Sequence, residues 1–485
     1  MMKLDKQQDF EPRIGTYLNI LKKDELLYRT AIQCITELDD PEDQMYAVCW
    51  APALVRYIAW VLEEAVRDRK KRLYFLARDA YPMYLVAKAL TEKMNIPIEI
   101  RYLRVSRYSL RIPEYHLLGE KCLDRIFLSG IDVSLYQIWK RAGLNNEEID
   151  HISEELHCDR ILHKNLNPRE IAEFKQYVRQ CCREHKTDLL KMIYERSKVA
   201  YDNTLSYLKR EGLLEPVRYG VVDSGWVGTI QQSLRNILAQ TQPEIQITGY
   251  YFGLYALPGE RSGCLYKAYF FQPQGHIRRK VEFSNCLYEV MYSEPCPMVK
   301  GYTGERHEPV FSEINNPNKE NLQRNHRILE HYMEVFTHIA KISGGVNKGQ
   351  TIAEERALST HESNGRYEGK GDHMVQQLYR TVMATPNAWE AALYGSQLFS
   401  DDLADDHMRK IANDLSQSEI RNLRITRKFL IMLGLLHQEL HESGWIEGSI
   451  VNAKNNIAVN LRAARRAKYL TYLRQSVKAR KQRIK

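Results

Sequence analysis

The chain has 485 residues, more than one hydrophobic core normally organises, and its 44% apolar and 27% charged content is that of folded globular protein, not of a disordered or fibrous one. The formal charge of +9 is unevenly spread: residues 454–485 carry eleven Lys/Arg and no Asp/Glu, so the rest of the chain stands at −2. A nucleic-acid-binding role for the whole molecule therefore does not follow from its basic pI.

The nine cysteines are scattered, with no CxxC pair, and read as reduced, mostly buried thiols. The opening "MMKLDKQQDFEPRIG" is polar, and no stretch approaches the ~18 consecutive apolar residues of a membrane span. The expectation is a cytoplasmic protein, peripheral to the inner membrane face only through its basic tail.

In chain order, residues 1–70 are predicted as an N-terminal helical segment, with apolar residues at helical spacing in "QMYAVCWAPALVRYIAWVLEEAVRDRKK". "KRLYFLA" is a continuous apolar run, the mark of a strand buried on both faces. "YPMYLVAKALTEKMN" is a helix with Pro82 in its first turn, and "IPIEIRYLRVS" a second strand. Strand, helix, strand is a βαβ unit and predicts a parallel sheet. Residues 115–211 read as a helical insertion. "VRYGVVDSGWVGTIQQSLRNILAQ" is strand, Gly-rich turn and helix; "IQITGYYFGLYA" and "KAYFFQ" are further strands, and "VMYSEPCPMVKGYTGERHEPVF" an extended or hairpin region. From 320 to 485 a helical module follows, interrupted by a polar Gly-rich loop after Ile342 and ending in a basic tail over 454–485. The fold expected is α/β: a Rossmann-like, mostly parallel sheet over 71–312, with a large helical insertion and a helical C-terminal module.

Three polar pairs then fall at strand ends: Arg78-Asp79, Ser106-Arg107 and Asp223-Ser224. Ligands of open parallel sheets bind outside the carboxyl ends of the strands, so these pairs are candidates for one rim. In "VVDSGWVGT", Gly225 and Gly228 allow close backbone approach, and Thr229 opens a helix whose free amides favour an anion. The competing reading is a tight turn with Asp223 and Thr229 as caps. The segment is neither a P-loop nor GxGxxG. Arg78-Asp79 also reads as a salt-bridged pair, and Ser106 as a helix cap. Glu289, in "CLYEVMYSEP", is a further candidate. His437 and His441 in "HQELH" share a helical face, but Gln438 stands where a zinc protease needs Glu. His151, His157 and His163 with Cys158, and His326, His331 and His338, lie at spacings unsuited to a metal.

The stretches "YAVCWAPALVRYIAWVLEEAVRDRKKRLYFLARDAYPMYLVAKAL", "YLRVSRYSL", "YGVVDSGWVGTIQQSL" and "GYYFGLY" resemble the C-terminal module of large bacterial proteins of the HAD hydrolase superfamily, found among surface-polysaccharide and glycosyltransferase genes. The resemblance covers about residues 45–310. Ala80 stands where that module has Gly, and Thr229 where it has Ser; no DxDx[TV] nucleophile motif is present, so phosphatase activity does not carry over.

The resemblance implies a protein that binds or acts on a phosphorylated sugar or nucleotide in surface-polysaccharide assembly. Asp79, Asp223 and Arg78 are the catalytic candidates, and Ser106, Arg107, Ser224, Gly225, Gly228, Thr229 and Glu289 the ligand-binding ones. Mg2+ is the cofactor such a site would accommodate. One layout is HAD-like, with Lys209 as the cation; another resembles a phosphoribosyltransferase. The alternative class is a non-catalytic partner of a glycosyltransferase, or a scaffold held at an anionic membrane surface by the tail. RNA binding by the tail is the weakest of these readings.

Overall fold

Arg72–Leu76 (β1) is a short run with every residue buried, which only a strand covered on both faces can tolerate. The computed structural model describes residues 6–128, 133–259, 261–342, 370–399, 408–416, 419–420 and 443–484. β1 pairs in parallel with Glu99–Leu103 (β2) on one side and Tyr219–Trp226 (β3) on the other. Ile247–Leu254 (β4) and Cys264–Phe271 (β5) extend the sheet, giving the order β2-β1-β3-β4-β5 with every neighbour parallel. The chain builds outward from β1 to β2, then crosses to the other side for β3. The reversal makes a switch point between β1 and β3, the place where doubly wound sheets open a crevice.

Alternating strand residues feed two layers. Leu73, Phe75, Val222, Tyr250 and Phe252 face a cluster with the helices Ala51–Arg67, Tyr81–Met94 and Lys319–Ile342. Tyr74, Leu76, Leu103, Val221 and Ile247 face another, under Leu189–Arg210 and Thr229–Leu238. Each fully buried large side chain contributes roughly 1.5–3 kcal/mol.

The helical stretch Pro41–Arg67 corrects one expectation: by length and composition it could cross a bilayer. In the fold it is a core helix, 83% of its most apolar window being buried against the sheet and its neighbours. It widens to π turns over Tyr46–Trp50, where the Ala51 amide donates to the Tyr46 carbonyl. The widening falls just before Pro52, which has no N–H to offer Val48.

The helical region between β2 and β3 opens at Arg107 rather than at 115. Ser106 and Ser109 form a reciprocal cap that starts the helix Arg107–Leu118 directly after the strand. The helices up to Leu189–Arg210 then gather round their own cluster, with Trp139, Leu123 and Ile193 at its centre. The hairpin foreseen near 300 forms from Val299–Tyr302 and Pro309–Phe311.

Beyond 319 the helices mainly join the cluster that holds the N-terminal helices. Arg13 and Tyr17 both bond Glu390, and Trp50 Nε1 donates to the Tyr394 hydroxyl. All nine cysteines are free, and six are buried. The polar loop over 343–369 and the pair His437/His441 lie outside the described residues.

Candidate functional site

β1 ends at Leu76, and three residues later Asp79 stands on the turn before the helix Tyr81–Met94. The Ala77–Arg78 peptide bond in this turn is cis. β3 does not end at Asp223, as the sequence suggested, but continues through Ser224 and Gly225 to Trp226. Gly225, expected in a turn, is instead a strand residue with φ +112°, and a Cβ there would lie 2.6 Å from the Gly253 carbonyl of β4.

The two acids meet through Ser224. Its buried hydroxyl lies 2.9 Å from Asp79 Oδ2 and 3.5 Å from Asp223 Oδ1. One hydroxyl proton serves the nearer carboxylate, so the chain Asp223–Ser224–Asp79 is complete when Asp223 keeps its own proton. The surroundings favour that state. Burial and then the charge of Asp79 push the Asp223 carboxyl up to about 8, against the opposing pull of Ser224 and of Arg107. Below this pair, the Tyr57 hydroxyl sits between the carbonyls of Asp223 and Tyr250, at 3.1 and 3.0 Å.

Trp226 has φ +64°, and its indole N–H donates to Glu289 on the helix Asn285–Met291. Its ring lies among Phe271, Tyr255, Phe283 and Tyr288. Glu289 is thus joined to the end of β3. The Arg78 carbonyl accepts from the Glu294 amide, tying the first turn to the segment after that helix.

Only Val227 and Gly228 separate β3 from the helix Thr229–Leu238, and the Val227 amide already donates to Gly225. Gly228 takes φ +70° against the Tyr266 ring, where a Cβ would come within 2.7 Å. No side chain caps this helix. Thr229 is its first residue, not its cap, and its hydroxyl accepts from Arg111 at 3.3 Å.

Of the two readings of Ser106 the structure shows the cap and not the ligand contact, and the placing of Lys209 is corrected. The Ser106 hydroxyl accepts from the Ser109 amide and donates to the Val299 carbonyl, which makes it a structural cap. Lys209, the cation of the HAD-like layout, is exposed on the helix Leu189–Arg210. The residues that follow it, Glu211 and Gly212, contact Arg72 and Arg101 near the amino end of the sheet, away from Asp79. Arg107 is exposed but close enough to Asp223 to lower its pKa.

Sequence reasoning missed two groups. Arg111 and Arg125 flank the start of the helix Thr229–Leu238, Arg125 donating to Gln232 at 2.9 Å. The i, i+4 spacing of Arg107 and Arg111 was the available signal, once Ser106 is read as a cap. Glu294 is buried and accepts from Tyr102 at 2.7 Å and from Arg104. A separate groove of about 370 Å³, lined by Ile112, Pro113, Val199, Asn203, Thr204 and Lys300, lies on the opposite face of the helix Arg107–Leu118 and takes no part in this arrangement.

The donor set is a poor fit for a resident Mg2+. It offers two carboxylates, one of them protonated near neutrality, and among the described residues no three His, Cys, Asp or Glu are grouped to hold a metal. What the arrangement can do is hold or deliver a proton at Asp223 while Asp79 accepts a hydrogen bond. Fold and site define a doubly wound α/β protein with a serine-bridged acid pair at its switch point. No family model matches the chain, and no curated protein matches it.

Proposed function

We propose that this chain binds and acts on a phosphorylated sugar or nucleotide, in the surface-polysaccharide setting that the resemblance implies. The observation that carries the reading is the Asp79–Ser224–Asp223 chain at the switch point of a parallel sheet. Asp223 is the acid, because it keeps a proton at neutral pH. Asp79, oriented by Ser224, faces a hydroxyl-bearing or reacting part of the ligand. Arg78 and Arg107 offset negative charge. The test is a thermal-shift screen of sugar phosphates, nucleotide-sugars and phosphoribosyl donors, with and without Mg2+. A true ligand at a hundredfold excess over its Kd adds about 2.7 kcal/mol. If none of these classes shifts the transition, the reading fails.

A second reading concerns the tail and has its own observation. On the helix Ile457–Ile484, Tyr469, Leu470, Leu473 and Val477 are 38–48% exposed and fall within an arc of about 100°. Tyr472 and Ser476, which border this arc on one flank, hold the helix to Tyr255 and Gly275. Arg462, Arg466, Arg474, Lys478 and Arg480 are exposed as well, and the tail has no acidic residue. An apolar stripe set among cations suits an anionic lipid surface, and this role is compatible with either a catalytic or a scaffolding body.

A further inference from the structure

Arg111 is a buried cation that forms no ion pair among the described residues, though it lies within electrostatic reach of Glu114. Its side chain projects from the helix Arg107–Leu118, and the residue is only 6% exposed. Among the described residues its guanidinium makes one hydrogen bond, to Thr229 Oγ1, and no ion pair. The nearest acid on its own helix, Glu114, is already committed. It accepts from Ser233 at 2.7 Å and from Asn236 at 3.2 Å, and Arg125 lies 3.9 Å from it. Burying a guanidinium without a partner is costly, and a guanidinium keeps its proton in preference to losing it.

The place to which Arg111 points is equally unsatisfied. The ten-residue helix Thr229–Leu238 starts behind Gly228 with no side-chain cap, so its first-turn amides face outward with the positive end of the helix dipole. Arg107, one turn before Arg111 on the same face, is exposed at the mouth and lies within electrostatic reach of both Arg111 and Asp223. Three independent features therefore converge: an uncapped helix start, a buried unpaired guanidinium bonded to its first residue, and a second guanidinium bridging toward the acid pair.

We infer that Arg111, Arg107 and the Thr229 helix start form a clamp for the phosphoryl group of the ligand, with Arg111 as its buried anchor. The inference rests on the reading of the chain as a protein for phosphorylated ligands, and it adds where the phosphate sits and which residue holds it. The guanidinium supplies paired N–H donors, the helix amides supply more, and Arg107 closes over the oxygens from the solvent side. The remainder of the ligand then extends toward Asp223 and Asp79.

The experiment titrates the full chain with inorganic phosphate and with pyrophosphate, by calorimetry and thermal shift. Parallel titrations with glucose 1-phosphate and uridine monophosphate show which bearer adds affinity. Wild type should bind phosphate. Arg111→Met should weaken binding at least tenfold while leaving the ligand-free protein as stable as wild type or more so, because a buried unpaired charge is replaced by an apolar chain. Arg107→Gln, at an exposed position, should weaken binding severalfold without affecting folding. If Arg111→Met fails to fold, Arg107→Gln decides: undiminished phosphate affinity in that variant overturns the clamp. So does wild-type affinity in a folded Arg111→Met, or no phosphate binding by wild type at all. Arg111-dependent phosphate binding in a protein that turns over none of the screened ligands would keep the clamp and defeat the catalytic reading.

Discussion

Ser224 donates its hydroxyl proton to Asp79 Oδ2 over 2.9 Å, joining a residue inside β3 to the turn that follows β1. The bond crosses the switch point of the sheet, so two segments 145 positions apart are fixed at one crevice. It also settles which of the two acids gets the serine proton, and leaves Asp223 to satisfy itself by keeping its own.

Ser224→Ala removes this bond and leaves Asp79 and Asp223 facing each other without a mediator. Hydrogen bonds to charged groups contribute about 1.5–3 kcal/mol, so urea unfolding should show a loss of that size. A loss below about 0.5 kcal/mol would mean that water replaces the hydroxyl and that the bridge is incidental.

Asp223→Asn keeps the shape and removes the titration. If Asp223 delivers a proton, turnover of whichever ligand the thermal screen identifies should fall by about 10²–10⁴-fold, with binding retained. The wild-type rate should decline as pH rises through about 8, where Asp223 loses its proton. A variant that turns over normally, or a wild-type profile flat across that range, removes Asp223 from the chemistry.

The same substitution has a stability signature that needs no ligand. An unfolded Asp ionises near 3.9, whereas native Asp223 holds its proton to about 8. Between those values the native state binds more protons than the unfolded one. The group's contribution is therefore complete below about pH 4 and is lost as pH rises through about 8. Asp223→Asn should match wild type near pH 4 and exceed it at pH 9 by several kcal/mol, since each unit between the two ionisation points is worth about 1.4 kcal/mol. Denaturation midpoints at both pH values check this, and parallel curves would show that Asp223 ionises normally.

Much of this was legible in the sequence. β1, β4 and β5 announced themselves as continuous apolar runs, and a parallel sheet by itself brings Asp79 and Asp223 to one edge. Gly225 misled, because glycine is ordinarily read as a turn; only the closeness of Gly253, invisible in one dimension, shows why a strand needs it. Arg111 was hidden for a related reason. In the sequence Ser106 is open to two readings, a rim residue at a strand end or a helix cap; its reciprocal hydrogen bonds with Ser109 start the helix at Arg107, and then Arg107 and Arg111 share a face. The span Pro41–Arg67 was underrated because single charged residues interrupt an apolar helix whose surroundings are protein.

Gly225→Ala tests the strand reading of that residue. An alanine must take φ +112°, with its Cβ 2.6 Å from a main-chain carbonyl that cannot yield. The expected loss is about 2–4 kcal/mol. Gly301→Ala, with open space where its Cβ would lie, should stay within about 0.5 kcal/mol of wild type. Equal effects at the two sites would remove the close approach of β3 and β4 as the reason for glycine.

The tail reading is separable from all of these, because its exposed stripe is made of residues other than Tyr472 and Ser476, which hold the helix to Tyr255 and Gly275. Leu470→Glu with Leu473→Glu places two negative charges in the apolar arc and leaves the packed side intact. Wild type should co-sediment with vesicles of phosphatidylglycerol and phosphatidylcholine, and not with phosphatidylcholine alone. Raising salt from 0.1 to 1 M shortens the screening length from about 10 to about 3 Å and should release most of the bound protein. The double variant should stay in solution under all conditions while melting at the wild-type temperature. Binding that ignores both the lipid charge and the two glutamates would assign the stripe to another partner, such as a second copy of the chain, which sedimentation equilibrium of the vesicle-free protein would register as a dimer.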